Sequence, residues 1–243
     1  MRPTVLLLHG FTQTGASWGG VIDALGERYT ALAPDLRGHG SAAARRPVTV
    51  DACVADVVAD VPGRFALAGY SMGGRLALHV ALAHPERIER LVLVGTTPGI
   101  ADDVERAARR EADDALASQL EDGLDIEGFA RRWAKQPIFK GQPPDVAAAA
   151  HEDRLRNEPA GLAAALRGLG QGAAEPLWAR LGELRMPVTV IAGERDGTYA
   201  KLAERMVTRV PGARALIVPG AGHAVHLEAP AIVAAALVGG QDA

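Results

Sequence analysis

A serine, an aspartate and a histidine stand in this sequence in the order and surroundings that nucleophilic or proton-transfer chemistry requires. Ser71 is embedded in Gly69-Tyr70-Ser71-Met72-Gly73-Gly74, after an apolar run from Phe65 to Ala68 and before a helical pattern from Arg75 to Ala83. That context predicts a sharp strand-to-helix turn, with flanking glycines leaving room for a crowded backbone and the hydroxyl near the positive end of a helix. A serine hydroxyl is a poor nucleophile or base at neutral pH until a neighbour takes its proton, so an acid and then a histidine are expected further along. Gly193-Glu194-Arg195-Asp196 follows the apolar run Val188 to Ala192, and Pro219-Gly220-Ala221-Gly222-His223 follows Ala213 to Val218. Active sites of open parallel sheets lie just past the C-terminal ends of strands, where Ser71, Asp196 and His223 are all expected.

Each residue also has a plainer reading. A glycine-rich segment around a serine often makes an ordinary turn, and an Asp before Gly is commonly a turn or helix-capping acid. Glu194 is a competing acid but falls closer to its strand, and His226 competes with His223 but lies on the approach to the last helix. His9 and His39 precede the serine and are expected to support loops, while His79, His84 and His151 fall on helix surfaces. No histidine pair has metal-ligand spacing, so no metal is expected. The first apolar run leads into His9-Gly10-Phe11, which makes the backbone amides of Phe11 and Met72 the expected donors of an oxyanion hole.

These residues need a frame that brings distant loops to one edge. Apolar runs bounded by turn residues recur at Thr4 to Leu8, Tyr29 to Ala33, Phe65 to Ala68, Arg90 to Val94, Val188 to Ala192 and Ala213 to Val218. Helical patterns fall between them, at Trp18 to Glu27, Val50 to Val61, Arg75 to Ala83, Lys201 to Val210 and Pro230 to Leu237. Such alternation predicts an α/β fold with a doubly wound, mostly parallel sheet. It breaks between Pro98 and Arg185, where only helical periodicity is found. The expected organisation is therefore a core of residues 1–97 and 186–243 interrupted by a helical cap of residues 98–185. In the cap, Val104, Ala108, Ala112, Leu116 and Leu120 recur every fourth residue and are expected to form one apolar stripe.

Composition narrows the partners. The chain has 243 residues, 23% of them charged, with a formal net charge of -3 and no basic field suited to nucleic acid. No apolar stretch reaches the ~18 residues of a membrane span, and the run at Val5 to Leu8 is too short for a signal sequence. The single cysteine, Cys53, fits a reducing compartment and reads as a packed residue. A cytoplasmic enzyme acting on a small molecule, with no nucleic-acid or membrane partner, is expected.

Four segments carry a more specific resemblance: Gly69 through Leu78, Trp133 with Gln136-Pro137-Ile138-Phe139, Gly193 through Asp196, and Gly222-His223-Ala224-Val225-His226-Leu227-Glu228-Ala229-Pro230. With them the chain resembles the α/β-hydrolase superfamily over essentially its whole length, and within it the 2-succinyl-6-hydroxy-2,4-cyclohexadiene-1-carboxylate synthases of menaquinone biosynthesis. The resemblance implies a cofactor-free lyase whose Ser-His-Asp triad takes a proton from a polycarboxylate cyclohexene intermediate, with elimination of pyruvate. It further implies carboxylate-binding arginines at Arg75, Arg109 and Arg154, for which planar guanidinium donors suit bidentate contact. Tyr70 and Trp133 join them as expected substrate-binding residues. Two positions depart from that family: Ala134 stands where an aromatic is common, and Glu111 in a stretch that is often basic. Arg109 also admits a second reading, because Glu105, Arg109 and Asp113 have the spacing of a salt-bridged helix face. The alternative function is a serine hydrolase, a carboxylesterase or carbon-carbon bond hydrolase, in which Ser71 forms an acyl-enzyme. A ligand-binding receptor on the same fold is a third class, against which the intact triad argues.

Overall fold

A computed structural model describes residues 2–239. Six parallel strands form one sheet: β1 (Thr4–Leu8), β2 (Thr30–Leu32), β3 (Phe65–Tyr70), β4 (Ile88–Val94), β5 (Val188–Gly193) and β6 (Arg214–Val218). Their spatial order is β2-β1-β3-β4-β5-β6. Alternation of side chains splits the apolar runs between two faces. Leu6, Leu8, Leu67, Leu91, Leu93 and Val190 join one core, covered by α2 (Val50–Asp60), α3 (Met72–Ala83) and α8 (Gly197–Val207). Val5, Leu7, Ala68, Val92, Val94 and Ile191 join the other, covered by α1 (Gly19–Leu25) and α10 (Pro230–Val238), with the short α9 (Val225–Glu228) beside them. Both faces are covered, which explains why the strands read as continuous apolar runs. Cys53 is buried in the first core, and burial pushes its thiol pKa up to about 11.

The register sets the site. Leu8 pairs with Gly69, Tyr70 with Val94, and Gly193 with Val218, so the strands end nearly level and their following loops share one edge. Two helices start earlier than their apolar pattern suggests. α3 begins at Met72 rather than Arg75 because Gly73 and Gly74 belong to its first turn. A Cβ on Gly73 would stand 2.1 Å from Leu8 O, and one on Gly74 2.6 Å from Thr96 Cβ, so close packing overrides the low helix propensity of glycine. α8 begins at Gly197 because Asp196 caps it, its side chain accepting from Tyr199 N. β4 gains Ile88 and Glu89 through a register shift opposite Phe65 and Ala66.

Between β4 and β5 lie α4 (Asp103–Glu121), α5 (Ile126–Ala134), α6 (Pro144–Arg154) and α7 (Pro159–Leu169). Ala117, Leu120, Phe129, Leu162, Ala163 and Leu166 form their own core, against which Phe11 and Trp133 pack. The expected stripe on α4 is not realised along its length: Val104 is 78% exposed, and the buried positions are Asp113, Ala117 and Leu120. Steps of four residues advance about 40° beyond a full turn, so over sixteen residues such a row winds to the other side of the helix. Among the described residues, no helix is long and apolar enough to cross a membrane.

Candidate active site

Ser71 stands between β3 and α3 with φ 49° and ψ −107°, a conformation costing a non-glycine residue about 1–3 kcal/mol. Its surroundings enforce it. Ser71 N donates to Val94 O at 2.9 Å, while Ser71 O accepts from Thr96 Oγ1 at 2.7 Å and from Arg75 N at 3.1 Å. Gly69 is required beneath the turn, since a Cβ there would lie 2.3 Å from Gly73 O.

Asp196 and His223 are both buried and meet directly, with His223 Nδ1 donating to Asp196 Oδ2 at 2.6 Å. That bond commits the proton to Nδ1 and leaves Nε2 as the basic atom. The other carboxylate oxygen accepts from Tyr199 N at 3.3 Å, so Asp196 fills the capping role and the histidine-orienting position together. Glu194 is exposed and accepts instead from Gly220 N at 2.9 Å. The imidazole is walled by Tyr199 and Tyr70, with ring centroids at 4.6 and 5.3 Å, and by Phe139 at 6.2 Å. Gly95, following β4 with φ 52°, lies against it: a Cβ there would be 3.2 Å from His223 Cε1. The end of β4 thus holds the serine's backbone through Val94 and Thr96 and borders the imidazole through Gly95. Among the described residues no hydrogen bond joins the Ser71 hydroxyl to His223.

His226 is separate from this pair. Its Nε2 meets Gln13 Oε1 at 3.2 Å, and burial, reinforced by His223 and His9, lowers its pKa to about 3. His39 is likewise lowered to about 3 by burial and then by His9. His9 Nε2 accepts from Leu36 N at 2.9 Å and Nδ1 meets Gly10 O at 2.9 Å, which fixes the loop leading to Phe11.

Ser71, Phe11, Met72, Arg75, Arg109 and Trp133 line one cavity of about 580 Å³ between the sheet edge and the inserted helices. The amides of Phe11 and Met72 donate to no acceptor among the described residues, although Met72 is buried. Met72 N is the first donor of α3, a position that leaves its N–H without an intrahelical partner, and both residues line the cavity. Arg75 Nη2 donates to Leu169 O at 2.7 Å, and no carboxylate among the described residues pairs with it. Burial lowers its pKa to about 10, so it stays cationic at neutral pH. Arg109 forms the ion pair with Asp113 at 2.9 Å that its spacing suggested, yet also lines the cavity and donates to Gln171 Oε1 at 3.0 Å. Trp133 packs on Phe11 and Phe129, with ring centroids at 5.1 and 5.7 Å.

Tyr70 and Arg154 stand outside that lining. Tyr70 is buried against His226, with ring centroids at 4.1 Å. Arg154 is 2% exposed, with its guanidinium 5.1 Å from the Phe139 ring and its Nε without a hydrogen-bond partner. Burial lowers its pKa, and Tyr70 and Asp153 oppose that shift.

Four polar residues that the sequence pattern does not single out also reach the cavity: Gln119, Arg132, Gln171 and Tyr199. Gln171 Nε2 donates to the Tyr199 hydroxyl at 3.1 Å, making a chain from Arg109 to the ring beside His223. Tyr199 is recoverable from its place three residues after a capping Asp; Gln171 lies in irregular backbone after α7 and carries no local signal. Among the described residues, no group of three or more His, Cys, Asp or Glu side chains could hold a metal ion.

The alpha/beta hydrolase family signature matches residues 5–236. A Bacillus subtilis protein assigned as 2-succinyl-6-hydroxy-2,4-cyclohexadiene-1-carboxylate synthase is 37% identical over 237 residues, covering 93% of this chain and 85% of that protein. The pimeloyl-[acyl-carrier protein] methyl ester esterase of Nitrosomonas europaea is 32% identical, covering 94% of this chain and 91% of its own. Among solved structures, MenH from S. aureus superposes with a TM-score of 0.90 at 29% identity, covering 98% of this chain and 92% of that one.

Proposed function

Because the chain belongs to the α/β hydrolase family and is an enzyme of the synthase or serine-hydrolase type, we propose that it is the lyase that eliminates pyruvate from a polycarboxylate cyclohexene intermediate of menaquinone biosynthesis. Ser71, His223 and Asp196 act as its triad. His223 Nε2 takes the hydroxyl proton as Ser71 accepts a proton from the substrate carbon. The electron pair of that broken C–H bond becomes the new ring double bond and expels the pyruvate moiety, which leaves with the bonding pair and is then protonated. Asp196 holds the imidazole in the required tautomer and stabilises it once it is cationic. The Ser71 hydroxyl and His223 come into hydrogen-bond contact when substrate closes the site, since catalytic bonds are often long in unliganded enzymes. The amides of Phe11 and Met72 face the negative charge that develops on a substrate oxygen.

The observation that carries this reading is the cavity's cation content. Arg75 is a half-buried guanidinium that makes no ion pair among the described residues, and it lines the cavity together with Ser71 and Arg109. A partly buried charge left without a partner is destabilising, and an anionic substrate supplies that partner. Arg154 backs Phe139, so its part is to hold that ring over His223 until closure exposes its guanidinium. Tyr70 shapes the imidazole's position from beneath. Residues 98–185 serve as the cap, and the chain works in the cytoplasm with no cofactor.

A serine hydrolase is the second reading, favoured by the esterase relative and by an anion hole equally suited to a tetrahedral oxyanion. Pyruvate release from the cyclohexene intermediate, abolished in Ser71→Ala, supports the lyase. Brisk Ser71-dependent turnover of p-nitrophenyl esters with no pyruvate release would replace it by the hydrolase.

A further inference from the structure

The loop bearing the Phe11 amide is held by side chains of the helical insertion. Thr12, the next residue, has φ 71°, which a β-branched residue adopts only when its neighbours enforce it. Thr12 O accepts from Asn157 Nδ2 at 2.9 Å, and the same amide group donates to Arg154 O at 3.1 Å. Asn157 Oδ1 accepts from Gly40 N at 3.1 Å. One side chain therefore joins the loop after β1, the loop after β2 and the end of α6. Two residues beyond Thr12, Thr14 N donates to Asp153 Oδ2 at 2.9 Å and the Thr14 hydroxyl donates to Asp153 Oδ1. Asp153 and Asn157 are 6% and 4% exposed. The one cation paired with Asp153 among the described residues is Arg156, at 3.7 Å and with a 63% exposed side chain. The carboxylate is thus bound chiefly by the loop.

Fastening a helical insertion to a sheet requires only apolar contact, which Phe11 already supplies against Phe129 and Trp133. A buried carboxylate and a buried primary amide are destabilising unless hydrogen-bonded, and here their bonds converge on the segment flanking one catalytic N–H. We propose that Asn157 and Asp153 are positioning residues that fix the Phe11 amide for anion stabilisation, so that the cap sets the reactivity of the site as well as roofing it. This rests on the reading of Ser71, Phe11 and Met72 given above.

The test is steady-state pyruvate release by the full chain, alongside Ser71→Ala, Asn157→Ala, Asp153→Asn and the pair Thr12→Gly with Asn157→Ala, each checked by melting temperature. Asn157→Ala is expected to lower kcat about 10-fold or more, within the ~10²–10³-fold cost of losing an oxyanion donor outright, with KM changed less than about twofold. Glycine takes a positive φ without enforcement, so Thr12→Gly should recover at least about threefold of that loss. Should Asn157→Ala fail to fold, Asp153→Asn, a neutral isostere, carries the same expectation for kcat. The proposal is overturned if Ser71→Ala is inactive while the folded Asn157 or Asp153 variants keep parental kcat and only melt lower, which marks a purely structural clamp. Equal activity of parent and Ser71→Ala overturns the site reading, and this proposal with it.

Discussion

Replacing Arg75 by methionine should make the protein more stable and nearly useless. The half-buried side chain lines the cavity, with Leu169 O as its one hydrogen-bond partner and no carboxylate in ion-pair contact among the described residues. Burial lowers its pKa from 12.5 to about 10. At about 1.36 kcal/mol per unit, that shift corresponds to roughly 3 kcal/mol borne by the folded state to keep the group charged. Solvent in the open cavity screens part of this, and the bond to Leu169 O returns about 1 kcal/mol, leaving a net of about 1–2 kcal/mol. Methionine fills similar volume without charge, so Arg75→Met is expected to raise the melting temperature by about 2–8 °C for a chain of this size.

The same substitution removes the half-buried cation proposed to meet the substrate. Breaking a buried ion pair by deleting one partner costs about 3–5 kcal/mol, which predicts a fall in kcat/KM of at least about 10²-fold for a polycarboxylate. Calorimetry on the unliganded protein and pyruvate release on the same preparation supply both numbers. Lower stability together with unchanged kcat/KM would refute the reasoning, because Arg75 would then be a structural residue satisfied by Leu169 and its neighbours. Stability rising while activity falls is the signature of a group retained for its ligand.

Asp196→Asn should lower kcat by about 10⁴-fold with little change in melting temperature, since the amide still caps α8 but no longer fixes the imidazole tautomer; activity near parental would mean that another acid serves. Ser71→Gly should abolish turnover yet raise stability by about 1 kcal/mol through relief of the positive φ, which urea unfolding would read as a higher midpoint. Acid should destabilise the fold well before its carboxylates protonate. His39 and His226 have pKa values lowered from 6.5 to about 3, so their neutral burial stabilises fully above about pH 6.5 and that stability is lost as pH falls toward 3. Between pH 7 and 5 the two together should cost about 2–4 kcal/mol, and a urea midpoint that is flat over this range would count against their burial as neutral rings.

Much of this architecture is readable from apolar periodicity, because the physics that forms the strands is local. Leu6 to Leu8 or Val188 to Ala192 can only be satisfied between two covered faces, and their spacing along the chain leaves room for one helix per crossover. Where the reading slips, a tertiary contact has overridden local preference. Gly73 and Gly74 disfavour a helix start on propensity, yet the close approach of α3 to β1 and to Thr96 demands them there. The α4 stripe looked continuous because fourfold spacing mimics helical periodicity over two turns and departs from it over four; the buried side was then set by α7, whose Leu162 and Leu166 share the core with Leu120.

The site divides along the same line. Ser71, Asp196 and His223, the proposed triad, could be nominated from sequence because each follows the end of a strand, and a strand end is a landmark that sequence preserves. The cap residues lack such landmarks, and a helix pattern gives an azimuth without a distance. Arg109 and Arg154 illustrate the difference, since the same family resemblance nominates both while only Arg109 lines the cavity. Gln171 and Asn157 are harder still: both lie in irregular backbone, and their importance comes from bonds to partners such as Arg109 and Thr12, the latter 145 residues away. Side chains that connect the cap to the loop after β1 leave no periodic trace, because nothing along the chain repeats with them. If Asn157 sets the Phe11 amide, the least legible residue of the site governs the group that sequence places most easily, and cap sequences can then retune reactivity on an unchanged triad.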